Sequence, residues 1–442
     1  MRIALVCDYS LDYLGGAQSA FLDQAQILRD QGHDVTVISP TVRSRGTHAQ
    51  HATAEARSQH HTSDGDHGPI PSPDAITIEA RINLPVVDMP LVRNTTKLRE
   101  RLAQLLRERR IDVVHIHSEF GLTAAAIDAA RELGIPVVQT VHTFFWQAGL
   151  RGVGDRLAAA GVRWFAKWVR GVACSRQDLA SSRTDSTLRG ITLSTAERTQ
   201  VVVSPSAHQA DALRAAGLTD VVVIENASPE QEPAEHGAAH PEGSTPAMPL
   251  TDVTLPLRIA WIGRLTPEKR ILEFIEAIGV AQRELDPGSL HVDIIGDGPL
   301  AAAAETAVAA LPHPNGQTAE VRLLGRLSRD EVRAHMRAAH LVALTSFGFD
   351  NQPVTVVEAL TEGRSVLYVD PRLREGLEAG GILADAPDAA GMAAAIVRLA
   401  QHPEEVIEAS TRALNAAEVF SPERHARLIL ESYALASSLT NG

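Results

Sequence analysis

The sequence predicts an α/β fold built as two Rossmann-like domains that face each other across a cleft. Three observations carry this. The chain has 442 residues, which at roughly 150 residues per domain is two or three domains. It opens with a short unbroken apolar run, Ile3–Cys7, of the kind found in parallel strands covered on both faces. The same order of strand, glycine loop and helix then starts again at Leu257.

Each element follows from its local pattern. Ile3–Cys7 leads through a loop to Gly15-Gly16 and a helix over Ala17–Gln31, with Phe21, Ala25 and Leu28 on one face and Gly32 as its stop. Val35–Ile38, Ile111–Ile116 and Ile135–Val141 read as further strands, and Gly121–Leu133 as a helix ended by Gly134. Strands that alternate with helices imply a parallel, doubly wound sheet. In the second half, Leu257–Ile262 is a strand followed by Gly263-Arg264. Thr266 then serves as N-cap and Pro267 as first residue of a helix. His291–Ile295, Val321–Leu324, Leu341–Leu344 and Ser365–Val369 continue the series, and Ser421–Ser438 is an amphipathic helix anchored by Leu428, Leu430 and Tyr433. The expected division is an N-terminal domain over 1–228, a linker over 229–256 rich in Pro, Glu, Gly and Ala, a C-terminal domain over 257–420, and a last helix over 421–442.

A segment at 42–74, rich in Ser, Thr and Ala, interrupts the first domain and carries His48, His51, His60, His61 and His67. No acidic or cysteine ligand is spaced with these histidines, so the reading is a flexible surface insertion and no metal site.

Composition narrows the partners. The formal charge is −13 and the apolar fraction 44%. A global nucleic-acid-binding field is excluded, although local basic patches are not. Two distant cysteines, Cys7 and Cys174, rule out a disulfide scaffold and fit a reducing, cytoplasmic setting. No apolar run reaches the ~18 residues of a membrane span. The first run is broken by Asp8 and lacks a small-residue cleavage site, so it reads as a strand and not a signal peptide.

Ligands of open α/β sheets bind beyond the carboxyl ends of strands. That selects Gly15-Gly16, His115–Glu119, His142, Gly263-Arg264, Gly296–Pro299 and Phe347–Gln352. Gly15-Gly16 before a helix suits an anion, or is a plain turn. Arg264 and Lys269 could grip a diphosphate, or be solvated cations. Asp350 or Asn351 could cap the following helix or accept from sugar hydroxyls. Glu358, flanked by Val356, Val357, Ala359 and Leu360, should be half-buried and need a partner. His142 at a strand end should face the cleft, whereas of His115 and His117, on one strand face, at most one should reach it. Arg163, Trp164, Lys167, Trp168 and Arg170 interleave cations with aromatics, which suits either a membrane interface or an amphipathic helix packed on its own domain.

Gly15-Gly16-Ala17-Gln18, Asp112–His117, Thr140-Val141-His142, Ser204-Pro205-Ser206, Ile224-Glu225-Asn226, Gly263–Lys269, Gly296–Pro299 and Phe347–Gly363 together resemble the family 4 glycosyltransferases of the GT-B fold. No single motif is specific; their number, order and spacing are. The resemblance implies a retaining transferase whose substrate is a nucleotide diphosphate sugar, with no cofactor and no metal, and a closing helix that crosses back to the N-terminal domain. It implies that Gly15 and Gly16 approach the donor. Arg264 and Lys269 would hold its diphosphate, Glu358 its ribose, the backbone near Arg326 its base, and the amides around Phe349, Asp350, Asn351 and Gln352 the phosphate or sugar. His142 would lie near the reacting carbon, with Asp350, Arg264 and Lys269 completing the catalytic set. The family pattern has Glu where this chain has Asp350, one methylene shorter, and Asn-Gly where it has Asn226-Ala227.

The stretch His115–Trp146 resembles family members that glycosylate diacylglycerol or other membrane lipids, and it makes His117 and Glu119 the expected acceptor contacts. The expected function is therefore transfer of a hexose from a UDP- or GDP-linked donor to a membrane lipid or cell-envelope glycan precursor, by a protein peripheral to the inner face of the plasma membrane. A non-catalytic sugar-nucleotide-binding partner protein of the same fold is the alternative. A two-domain nicotinamide oxidoreductase is disfavoured, because no Gly-x-Gly-x-x-Gly follows the first strand of either half.

Overall fold

The computed structural model describes residues 1–11, 15–42, 75–80, 82–84, 89–145, 147–228, 247–311 and 320–441. The histidine-bearing insertion at 43–74 and the first part of the linker, 229–246, lie outside the described residues, as does Trp146.

The N-terminal domain runs β1 (Arg2–Val6), α1 (Gly16–Asp30), β2 (Asp34–Val42), β3 (Ala75–Ala80), a two-stranded hairpin of β4 (Ile82–Leu84) and β5 (Met89–Leu91), α2 (Thr96–Glu108), β6 (Val113–Ile116), α3 (Gly121–Glu132), β7 (Val137–Thr140), α4 (Gly152–Arg170), α5 (Arg183–Ala196), β8 (Val201–Ser204), α6 (Ala207–Ala215) and β9 (Val221–Val223). Seven of these strands form a parallel sheet in the order β3-β2-β1-β6-β7-β8-β9. The C-terminal domain runs β10 (Leu257–Ile262), α7 (Ile271–Glu284), β11 (Leu290–Ile295), α8 (Ala301–Ala309), β12 (Glu320–Gly325), α9 (Arg329–Ala338), β13 (Leu341–Leu344), α10 (Val354–Thr361), β14 (Ser365–Tyr368), α11 (Leu377–Gly380), β15 (Ile382–Leu383), α12 (Ala389–Gln401) and α13 (Pro403–Ala416). Its six parallel strands lie in the order β12-β11-β10-β13-β14-β15. The last helix, α14 (Pro422–Asn441), returns to the first domain. Its Ile429, Tyr433 and Ala436 are buried with Ile3, Leu5, Phe21 and Val113 in one core.

The strands form because their runs are apolar on both sides. All residues of β6, β7, β8, β13 and β14 are buried, as expected of a sheet covered by helices on each face. One element differs from the sequence expectation. Thr266 does not open a long helix: Pro267–Lys269 is a single 3-10 turn, and Arg270 then adopts a left-handed conformation (φ 55°) before α7 begins. This offset turns Lys269 out of the helix that follows. Gly296 is required where it stands. Its φ is 139°, and a Cβ there would lie 1.9 Å from the Gly263 carbonyl, so the loops after β10 and β11 approach as backbone on backbone.

Candidate active site

Strand order reverses at β1/β6 in one sheet and at β10/β13 in the other. Beyond the carboxyl ends of those strands lies the crevice in which doubly wound sheets bind ligands.

The C-terminal wall is charged. Arg264 stands exposed just beyond β10. Lys269, in the turn that follows, donates from Nζ to Asp350 Oδ1 at 2.5 Å, with its ammonium 5.8 Å from the centre of the Phe349 ring. The Ser346 hydroxyl donates to the other Asp350 oxygen. Thr345 Oγ1 ties turn and loop together: it donates to the Lys269 carbonyl at 2.6 Å and accepts Trp261 Nε1–H at 2.9 Å. Three residues singled out from sequence thus meet as an ion pair beside an aromatic ring.

Glu358 lies half-buried on α10, and burial raises its carboxyl above the usual range. Its partner is Arg329, which donates from Nε to Oε1 at 3.3 Å. The rest of the same guanidinium crosses to the N-terminal domain, where Nη1 and Nη2 grip both oxygens of Asp23 at 2.9 and 2.8 Å. The Asp23 side chain is only 5% exposed. Sequence reasoning missed both Asp23 and Arg329. Two signals pointed to them: Asp23 lies beside the buried face of α1, and Ser328 with Glu331 forms a capping box that fixes where Arg329 starts its helix. Arg326 is exposed in the loop just before that cap.

The side chains of Asn351 and Gln352 are engaged between the two domains. Asn351 donates to the Val141 carbonyl at 3.2 Å and accepts from the Ser206 hydroxyl. Gln352 Oε1 accepts from the Asn226 amide at 2.6 Å. Both side chains clasp the N-terminal domain, which leaves the main-chain amides of these two residues for a ligand, as the resemblance implies. Gly15 and Gly16 start α1 without a side-chain cap. A Cβ on Gly16 would lie 3.8 Å from Val354 at the start of α10, so two helix N-termini converge across the cleft.

The N-terminal wall is neutral. His142, half-buried at the end of β7, shares a 2.9 Å hydrogen bond between its Nε2 and His117 Nδ1, and burial pushes its pKa down to about 4. His117 is 2% exposed, enclosed by Phe21, His115 and His142. His115 turns away from the cleft: Nε2 pairs with Thr140 Oγ1 and Nδ1 with Tyr433 Oη, both at 2.8 Å. Burial holds the His115 and His117 rings well below the usual histidine range.

Both expected acceptor contacts are corrected by burial. His117 has no open face, and Glu119 is 3% exposed, its carboxyl pushed up to about 8 by desolvation and by nearby Asp8. Asp8 itself accepts from the amides of Phe120 and Leu122 and the hydroxyls of Ser118 and Thr123, anchoring the start of α3.

The basic-aromatic stretch divides. Arg170 is fully buried, with Nη2 donating to Thr195 at 2.6 Å and Ser194 at 3.0 Å, so it is no interface residue. It lies one turn beyond buried Ala166 and beside buried Val169, on the inner face of α4. Arg163 is half-buried and donates to Thr187. The outer face carries Trp164 (70% exposed), Lys167 and Trp168, with the two indoles stacked and Arg93 4.1 Å over Trp168. Leu150, Val153 and Leu157 extend that exposed apolar stripe.

Comparison with known proteins assigns the family. The family described as Glycosyltransferase Family 4 matches residues 14–230, and that described as Glycosyl transferases group 1 matches residues 256–402. The chain belongs to the family 4 glycosyltransferases. This glycosyltransferase is similar to a phosphatidyl-myo-inositol mannosyltransferase of Mycolicibacterium smegmatis, 30% identical over 151 residues, covering 32% of this chain and 31% of the relative. The protein of that name from Propionibacterium freudenreichii is 31% identical over 143 residues, 32% of this chain and 33% of the relative. The match therefore spans about a third of these curated relatives. In fold the glycosyltransferase is similar to HepE of Anabaena in complex with UDP (TM-score 0.61, 16% identical, covering 98% of this chain and 100% of that one). It is also similar to sucrose-phosphate synthase of Thermosynechococcus elongatus (TM-score 0.62, 14% identical, covering 98% of each chain). The architecture is GT-B.

Proposed function

We propose that this glycosyltransferase transfers a hexose from a UDP- or GDP-linked donor to a lipid at a membrane surface, with retention of anomeric configuration and without a metal ion. The observation that carries the reading is the convergence of Arg264, Lys269, Asp350 and Glu358 on a cleft roofed by the Gly15-Gly16 helix start. A donor diphosphate would take the Lys269 ammonium from Asp350 and add the Arg264 fork, so that leaving-group charge is met by fixed cations. Asp350, released, would accept from sugar hydroxyls. The ribose would reach Glu358 beside Arg329, and His142 would face the sugar from the opposite wall. Names among the relatives support a lipid acceptor and make mannose the first sugar to try.

The outer face of α4 supports membrane contact. Val153, Leu157, Trp164 and Trp168 recur at helical spacing, with Leu150 just before the helix and Lys167 and Arg93 beside them, as in helices that lie in an interface plane. No helix among the described residues is long and apolar enough to cross a membrane.

The test is a panel of UDP- and GDP-hexoses presented with vesicles containing anionic phospholipid. The expected result is one donor turned over, glycolipid product with the donor's anomeric configuration, and activity that survives a chelator. Donor binding without hydrolysis or transfer by any donor would overturn the reading.

A further inference from the structure

One group in the cleft has a buried polar atom without a partner among the described residues. His117 is buried, and its Nε2 has no hydrogen-bond partner among the described residues. Its other nitrogen, Nδ1, lies 2.9 Å from His142 Nε2. A contact that short between two imidazole nitrogens needs one hydrogen between them. Two arrangements supply it. If His142 donates from Nε2, then His117 must carry its own hydrogen on Nε2, as a buried N–H with no acceptor. If His117 donates from Nδ1, the unpartnered atom is a lone pair. Orphaned buried N–H donors are rare in proteins, and orphaned acceptors less so. The second arrangement is therefore selected, and it puts the hydrogen of His142 on Nδ1, the nitrogen turned away from His117.

The surroundings support the same choice. Gln24 Nε2 lies 3.0 Å from His115 Nδ1, and Tyr433 Oη lies 2.8 Å from that same nitrogen. These donors leave His115 with its hydrogen on Nε2, given to Thr140. The His115 ring, thus neutral and fully satisfied, packs 4.5 Å from the His117 ring and offers it no hydrogen bond. Phe21 closes another side edge-on at 5.0 Å.

We infer that His117 is a positioning residue: its Nδ1–H fixes His142 in the Nδ1–H tautomer, so that His142 presents a hydrogen-bond donor, and not a lone pair, on its cleft side. This rests on the proposed role of His142 facing the donor sugar. A donor there can approach a sugar hydroxyl oxygen or the oxygen that gains charge as the glycosidic bond breaks. A lone pair there would repel both.

The experiment is 15N NMR of the 442-residue protein labelled at histidine, with His142 assigned by loss of its signal in His142→Gln. The two nitrogens couple differently to the ring protons, so each tautomer has its own pattern. We expect the Nδ1–H form at His142 in the wild type. His117→Leu should lose it, whereas His117→Asn, whose side-chain amide overlays Nδ1, should keep it. Turnover should follow: kcat down about tenfold or more in His117→Leu with donor KM within about twofold, and largely recovered in His117→Asn. An Nε2–H pattern for His142 in the wild type overturns the inference, as does a His117→Asn variant as impaired as His117→Leu. Should His117→Leu not fold, the wild-type spectrum and His117→Asn decide alone. Failure of the parent reading looks different: His142→Gln would then keep full turnover whatever the tautomer.

Discussion

The two walls of the cleft are built from opposite materials. The C-terminal wall is a set of formal charges held in pairs, Lys269 with Asp350 and Arg329 with Glu358 and Asp23. The N-terminal wall is a stack of histidines kept neutral by burial, His115, His117 and His142. Paired charges exchange partners readily when a charged ligand arrives. Neutral rings with fixed tautomers instead present dipoles of one sign in one direction. The difference teaches a division of labour: one wall binds by charge, the other orients without it.

The comparison predicts where substitutions hurt. Lys269→Ala or Arg264→Ala should lower kcat/KM for the nucleotide sugar by on the order of 10²–10³ while circular dichroism stays native. Full activity in both would remove the charged wall from the mechanism. Arg329→Ala should act on stability, because it strands two buried carboxylates. We expect a loss of about 3 kcal/mol in denaturant titration, largely relieved by adding Asp23→Asn and Glu358→Gln. Without that relief, the three residues do not form one unit.

The neutral wall should show itself in pH. Burial pushes His142 and His425 down to about 4 and holds His115 and His117 well below the ordinary value of about 6.5. An unfolded chain takes up these protons first. Their contribution is whole above pH ~6.5 and is lost as pH falls toward 4, by up to about 1.4 kcal/mol per histidine per pH unit. Glu119 acts in the opposite sense: its raised pKa of about 8 gives stability that is present below ~4.5 and is lost as pH rises through 8. Melting temperature should therefore drop clearly between pH 7 and pH 5. A flat profile there would mean the rings are not held neutral. The smallest effect on the fold belongs to the outer face of α4. Trp164→Ala with Trp168→Ala should shift stability by no more than about 0.5 kcal/mol per site, yet reduce sedimentation with anionic vesicles. Unchanged sedimentation would leave the stripe without a membrane role.

Much of the architecture was legible because its strands are short apolar runs between glycine loops. Leu257–Ile262 and Leu341–Leu344 are strands with those very limits. The site was legible only where chemistry and loop position coincide, as at Lys269, Asp350 and His142. What escaped was long-range or rotational. Arg329 meets Asp23 306 positions away, and nothing local to either marks the other. Arg170 carries the charge of a surface residue, but helical rotation places it on the buried side of α4 with Ala166 and Val169. Asn351 looked like a cap, yet its partners Val141 and Ser206 belong to the other domain.

The return of α14 has a consequence for how the chain is made. Tyr433 completes a core begun by Ile3 and Leu5 and bonds to His115, 318 positions earlier. During synthesis the first sheet must wait, one face only partly covered by α1, while the entire second domain emerges. The N-terminal half is thus a lock whose bolt is delivered last, and shortening α14 should damage the domain farthest from it in sequence.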